Sequence, residues 1–213
     1  MPNWCFTNLD ISGEEQELKR FFDSIEKKTN DYGTEYSIIS SLYPCPKELT
    51  ETVSGWSADK DEQAEREKRY AENIAKYGSK DWYDWQYTNW GTKWGDYRTT
   101  SDYDGIEMFH DGSFHLQFRF ETAWGPATEA WIKISRDFPS LRFQFSHQEE
   151  SDEFAGVEVI HNGELLFEQT FSPNDFEVPM PDYHSDEWAE WQQKQSQWKY
   201  DVLDGLEMEA SKA

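Results

Sequence analysis

Apolar and polar residues alternate in the first part of the chain in patterns typical of short secondary-structure elements. Residues 4–11 (WCFTNLDI) predict a half-buried strand, because every second side chain falls on one face: Cys5, Thr7, Leu9 and Ile11. Ser12 and Glu15 have capping-box spacing, and an apolar stripe from Leu18 to Ile25 follows at helical spacing, so a helix of about four turns is expected. β-branched and aromatic residues at 36–44 predict a second strand that ends at the prolines.

Two dipeptides that tolerate positive φ angles predict hairpins further along the chain. Asp111-Gly112 separates GIEMFH from SFHLQFRF, and Asn162-Gly163 separates two strand-like runs. Between them, a helix is expected from Pro126 to Pro139, followed by a strand at 141–147. In order, the elements predict an α+β fold with a split βαβ layout, in which two helices cover one face of an antiparallel sheet.

The predicted domain spans residues 1–171 and carries an insert at about 47–100. The insert contains a charged helix, roughly 59–77, and the aromatic segment DWYDWQYTNWGTKWG at 81–95. Residues 172–213 are expected to form a linker, a Trp-containing helix at 184–206 and a frayed tail, EMEASKA. For this helix, packing back on the sheet or the insert is favoured over a free partner-binding helix.

The charge of the chain limits its partners. The 213 residues include 20 basic and 43 acidic residues, for a formal net charge of -23. This charge excludes direct binding to nucleic acid or anionic lipid and suits a basic partner, including a protein that itself binds nucleic acid, although solubility alone is the simpler interpretation. The acidic runs at 59–67 and 147–153 have two interpretations: solvated surface, or mimicry of DNA phosphates. The Lys and Arg residues in the first run argue against a pure mimic.

Location and redox state follow from what the sequence lacks. Cys5 and Cys45 are too few for a disulfide framework and lack zinc-site spacing, which fits a reducing cytoplasm. The N-terminus has no signal-peptide pattern, and no run approaches the roughly 18 apolar residues of a membrane span. We therefore expect a cytoplasmic protein without a membrane association.

The aromatic segment at 81–95 has two interpretations. Its tryptophans can fill the space between the inserted helix and the sheet, or present a stacking surface on a folded-back loop, with the intervening polar residues as part of a pocket. We expect a mixture, with some rings in the core and the loop tip exposed. The candidate binding residues here are Trp82, Trp85, Asn89, Trp90, Thr92, Lys93 and Trp94, together with Trp124.

Histidines offer a second possible chemistry. His110, Asp111 and His115 lie across the first predicted hairpin, with Asp102 and Asp104 before it, but no metal-ligand pattern can be written and we expect no metal site. His115 and Arg119 alternate with apolar residues on the wet face of their strand, either as ordinary surface groups or as part of a binding face under the insert. The sequence contains no phosphate-binding, dinucleotide-binding or nucleophile-elbow motif, so we assign no catalytic residue and no cofactor.

Four segments carry a family resemblance: MPNWCFTNLDISG, KDWYDWQYTNWGTKWG, FRFETAWGPATEAWIKISRDFPSLRFQFSHQEE and FAGVEVIHNGE. They resemble the phage and plasmid proteins known by the YubB name, over nearly the whole chain up to about residue 170. The resemblance implies a ferredoxin-like domain with an insert, carried by mobile genetic elements and working inside a bacterial host. It implies no established activity.

The residues and the resemblance together favour a non-enzymatic accessory protein. We expect it to bind a host bacterial protein through its acidic and Trp-rich surfaces and to inhibit a defence system. The alternative is a protein that binds a nucleotide or another small molecule, or a cryptic enzyme, with a pocket between the aromatic loop and the sheet. A pocket ringed by Trp90, Trp94 and convergent polar groups would favour this alternative.

Overall fold

A single antiparallel sheet organises the chain in a computed structural model that describes residues 2–31, 33–103 and 105–213. The order of the strands is β2-β3-β4-β6-β1-β7-β8-β9, and the short β5 also pairs with β6. The strands are β1 (Trp4–Gly13), β2 (Glu26–Asn30), β3 (Gly33–Ser37), β4 (Tyr97–Thr100), β5 (Glu107–Met108), β6 (Phe114–Ala123), β7 (Arg142–Glu149), β8 (Ala155–His161) and β9 (Glu164–Phe171). The helices are α1 (Glu15–Asp23), α2 (Ile39–Leu42), α3 (Lys47–Thr50), α4 (Lys60–Tyr77), α5 (Trp82–Trp90), α6 (Thr128–Asp137) and α7 (Trp188–Ala210).

The centre of the sheet has the predicted split βαβ layout. Helix α1 follows β1, and α6 connects β6 to β7, the two strands that flank β1. Alternate side chains of these strands are buried beneath the two helices, as the pattern in β1 predicts: Cys5, Thr7, Leu9 and Ile11 are at most 3% exposed. Trp131 of α6 packs against the rings of Phe120 and Phe145. The predicted α+β fold class and both predicted hairpins are confirmed.

Helix α1 starts later and is shorter than predicted. Ser12 pairs with His115 and Arg142 in the sheet, so it cannot cap the helix; Glu14 occupies the N-cap position without a side-chain hydrogen bond. The helix ends at Asp23 because the chain turns into the edge strand β2. The predicted capping box and four-turn length are therefore wrong.

The strand predicted at 36–44 is also wrong, since β3 ends at Ser37 and α2 follows. Asp96 explains the change, because its carboxylate accepts hydrogen bonds from the backbone N–H groups of Ile38 and Ile39 and so caps the new helix. This cap comes from more than fifty residues away in the sequence. The pattern also failed to predict β2 (EKKTN), whose five residues are all exposed.

The insert packs on the same face as α1 and α6. The side chain of Asp59 accepts from the N–H groups of Asp61 and Glu62 and starts α4, and Gly78, at φ 75°, ends it, so the charged helix predicted at 59–77 is confirmed. The aromatic segment forms α5, with Asp81 as its N-cap and Gly91 at φ 81° as its C-cap. Trp85 and Trp90 of α5 join the main core.

Helix α7 covers part of the opposite face of the sheet. Val157 pairs with Ser146, on the reverse side from Phe145, and packs with Val159 against Ala210. The prediction that this helix packs back on the sheet is confirmed, although it spans 188–210 rather than 184–206. Arg142 donates to the carbonyl oxygen of Ala210 (2.6 Å), which holds the last turn in place, so most of the tail that we expected to fray is helical.

The two edges of the sheet differ in character. Strand β2 exposes Lys27 and Lys28, whereas β9 exposes Leu165 and Leu166 between the acidic positions 164 and 168. Charged residues on an edge strand discourage pairing with another chain. Within the described part of the chain, no helix is both long and apolar enough to span a bilayer.

Candidate aromatic binding site

A cleft of about 520 Å³ opens between the aromatic loop and the start of β1. We call it the aromatic cleft, and its lining consists of Pro2, Trp4, Ser40, Gln86, Trp90, Trp94, Gly95, Asp96 and Tyr97. Its volume lies in the range of small-molecule sites, which are typically about 300 to 1,000 Å³. Four of its nine lining residues are aromatic.

Strand register brings one wall of the cleft together. Trp4 pairs with Ala123 and Tyr97 pairs with Glu121, so β6 holds the two rings side by side on the sheet face opposite Cys5. Their ring centroids are 5.0 Å apart at an interplanar angle of 12°. Trp94, from the loop after α5, stacks on Trp4 at 5.7 Å. Stacked rings restrain one another, so this wall is organised without a ligand.

The floor of the cleft is fixed by packing. Trp90 is only 5% exposed, donates its indole N–H to the carbonyl oxygen of Tyr43 (2.9 Å) and meets Trp85 edge to face. A Cβ atom at Gly95 would lie 3.1 Å from both Trp90 and Ile39. A side chain at this position would therefore push Trp90 or Ile39 out of place by a few tenths of an ångström.

The cleft has few polar groups, and they differ in whether they are hydrogen-bonded within the protein. Asp96 is held by the N–H groups of Ile38 and Ile39 and by the hydroxyl of Ser40, and burial raises its pKa to about 6 against the effect of these hydrogen bonds. Oε1 of Gln86 is buried and has no hydrogen-bond partner among the described residues. An unpartnered buried amide oxygen is costly, so Oε1 of Gln86 destabilises this part of the fold.

Lys93 lies beside the cleft within a group of rings that we call the lysine cage. Its Nζ atom is 4.3 Å from the ring centroid of Trp94 and between 5.8 and 5.9 Å from those of Trp82, Tyr83 and Trp124. Among the described residues, Lys93 makes no ion pair, so ring faces supply its electrostatic partners. Trp94 belongs to both the cage and the cleft.

The structure brings together half of the sequence-predicted site residues. Trp82, Lys93, Trp94 and Trp124 meet in the lysine cage, and Trp90 and Trp94 line the cleft. The predicted polar residues have structural contacts instead: Asn89 accepts from the hydroxyl of Tyr43 (2.9 Å), and Thr92, only 1% exposed, donates to the carbonyl oxygen of Ala123 (2.5 Å). Trp85 is buried in the core.

Sequence reasoning missed Trp4, Tyr97 and Gln86. For Trp4 a signal was present, because the alternation that buries Cys5 and Thr7 points Trp4 to the wet face, where a large ring needs an aromatic partner or a ligand. Tyr97 could be found only from the pairing of β4 with β6. Gln86 carries no local signal, since an amide within an aromatic helix reads as ordinary surface.

His115 and Arg119 lie elsewhere on the open sheet face. His115 is eight residues along β6 from Ala123, a separation of about 27 Å at the usual rise of a strand. The insert packs on the opposite face of the sheet, so these side chains do not lie under it. The prediction of a binding face under the insert is therefore wrong. Arg119 pairs with Asp102. Asp104 lies outside the described residues, among which no cluster suited to a metal ion occurs.

The hydrogen bonds around His115 form a chain that does not produce a nucleophile. Its ring joins Asp10 at 2.7 Å and the hydroxyl of Ser113 at 2.8 Å. That hydroxyl also donates to Asp111 (2.6 Å), and this bond lowers the pKa of the Asp111 carboxyl. A carboxylate so close to Ser113 opposes the negative charge that develops in acyl transfer. The arrangement therefore stabilises the hairpin between β5 and β6.

Several ionisable groups are buried at one end of the core. Burial raises the pKa of the Cys5 thiol to about 12 and lowers that of His147 to about 4, so both side chains are uncharged at neutral pH. His147 and Glu149 are at most 2% exposed, which corrects the view of 147–153 as a solvated acidic run. In α4, basic residues alternate with acidic ones beside Glu62 and Glu65, so this surface is mixed in charge.

Comparison with known proteins bears on the fold alone. Residues 103–196, from just before β5 into α7, match a family model described as a ferredoxin-like domain in Api92-like protein. A crystal structure of a protein Api92 from Yersinia pseudotuberculosis is similar with 10% sequence identity, a TM-score of 0.38, and coverage of 81% of this chain and 99% of that one. No curated protein sequence matches this chain.

Proposed function

We propose that this protein binds a planar small molecule in the aromatic cleft. The observation that carries the proposal is the arrangement of Trp4, Trp94 and Tyr97 in a stacked wall over the fixed ring of Trp90, within a cleft of about 520 Å³. Flat rings recognise flat ligands through stacking. The arrangement contains no activated nucleophile, so binding without catalysis is the function that the residues support.

Trp94→Ala tests the proposal. The variant removes a ring from the stacked wall, and a planar ligand should bind about tenfold or more weakly, since stacking contributes on the order of 1–3 kcal/mol. Binding is measured by isothermal titration calorimetry and by ligand-observed NMR, with quinoline derivatives as probes. The Tm of each variant establishes that it is folded.

The matched control is Trp56→Ala, which removes a tryptophan that is 76% exposed and does not line the cleft. It should leave the Kd within about twofold of wild type, because additive effects are the rule for separate sites. Equal losses in the two variants would show that the probes bind tryptophan at large and would refute the cleft as the site.

A protein partner is a second candidate, favoured by the exposed rings beside the cleft. Phe6, Tyr87, Tyr97 and Trp124 are each between 44% and 56% exposed, and large exposed aromatic groups mark interaction surfaces. The net charge of -23 suits a basic partner. Under this candidate function, the protein is a phage or plasmid accessory protein in the bacterial cytoplasm. It binds a host protein and inhibits a defence system.

The host-protein candidate needs a variant that leaves the fold intact. Trp90 is unsuitable because it is buried, so Tyr87→Ala combined with Trp124→Ala is preferred. A host protein that wild type retains from lysate and that the folded double variant loses would support this candidate, provided that the purified partner then binds with a defined stoichiometry. Equal retention by both forms would count against the aromatic surface.

A further inference from the structure

The charged groups around the aromatic cleft point to the charge of its ligand. The lining contains one formally charged side chain, Asp96, and no Lys or Arg among its described residues. The two nearest cations are already engaged, because Lys93 lies over the ring of Trp94 and Arg98 lies over that of Tyr97 and pairs with Glu121. A phosphate or carboxylate that entered would lose its hydration, and it would also face the field of a chain with net charge -23. Anionic ligands, nucleotides included, are therefore disfavoured.

The lysine cage shows what these rings attract. Four ring faces surround the ammonium group of Lys93 in place of a carboxylate, and its shortest distance, 4.3 Å, is to Trp94. The faces of Trp and Tyr rings carry negative electrostatic potential and attract cations within about 6 Å. Trp94 also lines the cleft, together with Trp4, Trp90 and Tyr97. The cleft thus combines the ring type that already binds a cation with a fixed carboxylate.

The hydrogen bonds of Asp96 fix the position of its carboxyl group in the cleft. Two backbone N–H groups and the hydroxyl of Ser40 fix its carboxylate, so it does not need to reorganise when a ligand arrives. Preorganised charge acts without the cost of ordering a side chain. Because its oxygens are already hydrogen-bonded, Asp96 contributes through its electrostatic field, while the rings make the contact.

We propose that the ligand of the aromatic cleft is an organic cation with a flat aromatic ring. This inference rests on the proposed function, because it assigns a charge class to the ligand of the same site. The ring system of the ligand stacks on the wall formed by Trp4, Trp94 and Tyr97, and its positive charge is stabilised by the ring faces and by Asp96.

Three probes of similar shape separate charge from stacking. N-methylquinolinium is cationic, quinaldine is neutral at pH 7.5, and quinaldate is anionic, and each is titrated into the full-length protein by calorimetry. The expected result is that the cation binds about tenfold or more tightly than quinaldine, as one cation–π interaction of roughly 1–2 kcal/mol implies, and that quinaldate binds most weakly. If quinaldine binds as tightly as the cation, the charge assignment is overturned while the proposed function stands. If no probe binds at millimolar concentration, both are overturned.

Lys93→Met provides a second measurement on a variant that keeps an unbranched side chain among the rings. Removal of a positive charge next to Trp94 should tighten N-methylquinolinium binding about twofold to fivefold and leave quinaldine unchanged, because only the cation is repelled by Lys93. The same change in affinity for both probes would overturn the inference, since it would reflect altered packing. Lys60→Met, at the start of α4, is the matched control and should change neither Kd.

Discussion

At the scale of single residues, Glu158 couples the stability of the fold to pH. It is 3% exposed on β8, and both of its carboxylate oxygens accept from one hydroxyl group, that of Thr128. Burial raises its pKa to about 7, the hydrogen bond from Thr128 opposes this shift, and the nearby charge of Glu168 adds to it. The folded state therefore favours the protonated acid more than the unfolded state does.

Glu158→Gln should remove this dependence. The folded pKa lies above the unfolded value of 4.5, so the stability that the protonated group contributes is present below pH 4.5 and is lost as the pH rises to about 7. At pH 8 the variant should be more stable than wild type by on the order of 1–3 kcal/mol, and the difference should shrink towards pH 5. Urea unfolding at several pH values measures it.

His147 has a lowered pKa, which destabilises the fold as the pH falls below 6.5. Because His147 is present in both proteins, its contribution cancels in the difference between their free energies of unfolding. Glu164→Gln, at an exposed position on β9, is the control and should show little change with pH. A Glu158→Gln difference that is constant from pH 5 to pH 8 would contradict the assignment of the raised pKa to Glu158.

At the scale of secondary-structure elements, α4 depends on its N-cap. Asp59→Ala removes the acceptor for two backbone N–H groups and should lower the free energy of unfolding by about 0.5–2 kcal/mol. Urea unfolding measures the loss. Asp61→Ala, two residues into the helix, makes no such bond and should cost less. Equal costs would mean that acidic charge near the helix dipole, rather than the cap, stabilises this end.

Elements with local signals could be predicted from the sequence. Asp59 and Gly78 mark the ends of α4, and Asn162-Gly163 marks the turn between β8 and β9, because caps and turns depend on neighbouring residues. Helix α2 could not be predicted, since its cap, Asp96, is distant in sequence. The apolar run at 36–44 reads as a strand for that reason.

The candidate site shows the same division. The sequence identifies Trp90 and Trp94 as a group of rings, but their role depends on Trp4 and Tyr97, which approach only because β1 and β4 both pair with β6. Local spacing does not contain this register. Nor does it separate Thr92, which anchors the loop to the sheet, from the exposed polar residue that its neighbours suggest.

At the scale of the whole molecule, net charge opposes compactness. With a formal charge of -23, folding brings like charges together, and salt should reduce this repulsion. An increase in NaCl from roughly 20 mM to roughly 200 mM should raise the Tm by about 2–5 °C, since the Debye length falls below the typical spacing of surface charges. Differential scanning calorimetry measures the Tm.

A comparison of NaCl with KCl at equal ionic strength distinguishes screening from the binding of a particular cation. Screening predicts the same Tm in both salts, because it depends on ionic strength alone. A Tm that rises with only one of the two salts would show that the effect is specific, and it would contradict repulsion as the cause.

The two edges of the sheet respond differently to acid. On β9, the exposed Leu165 and Leu166 would favour strand addition, and the acidic positions 164 and 168 oppose it only while they are ionised. Acid removes that opposition. On β2, by contrast, Lys27 and Lys28 remain charged at low pH. Assembly in acid would therefore proceed from one edge only, and copies joined through β9 would close as pairs instead of growing into fibres.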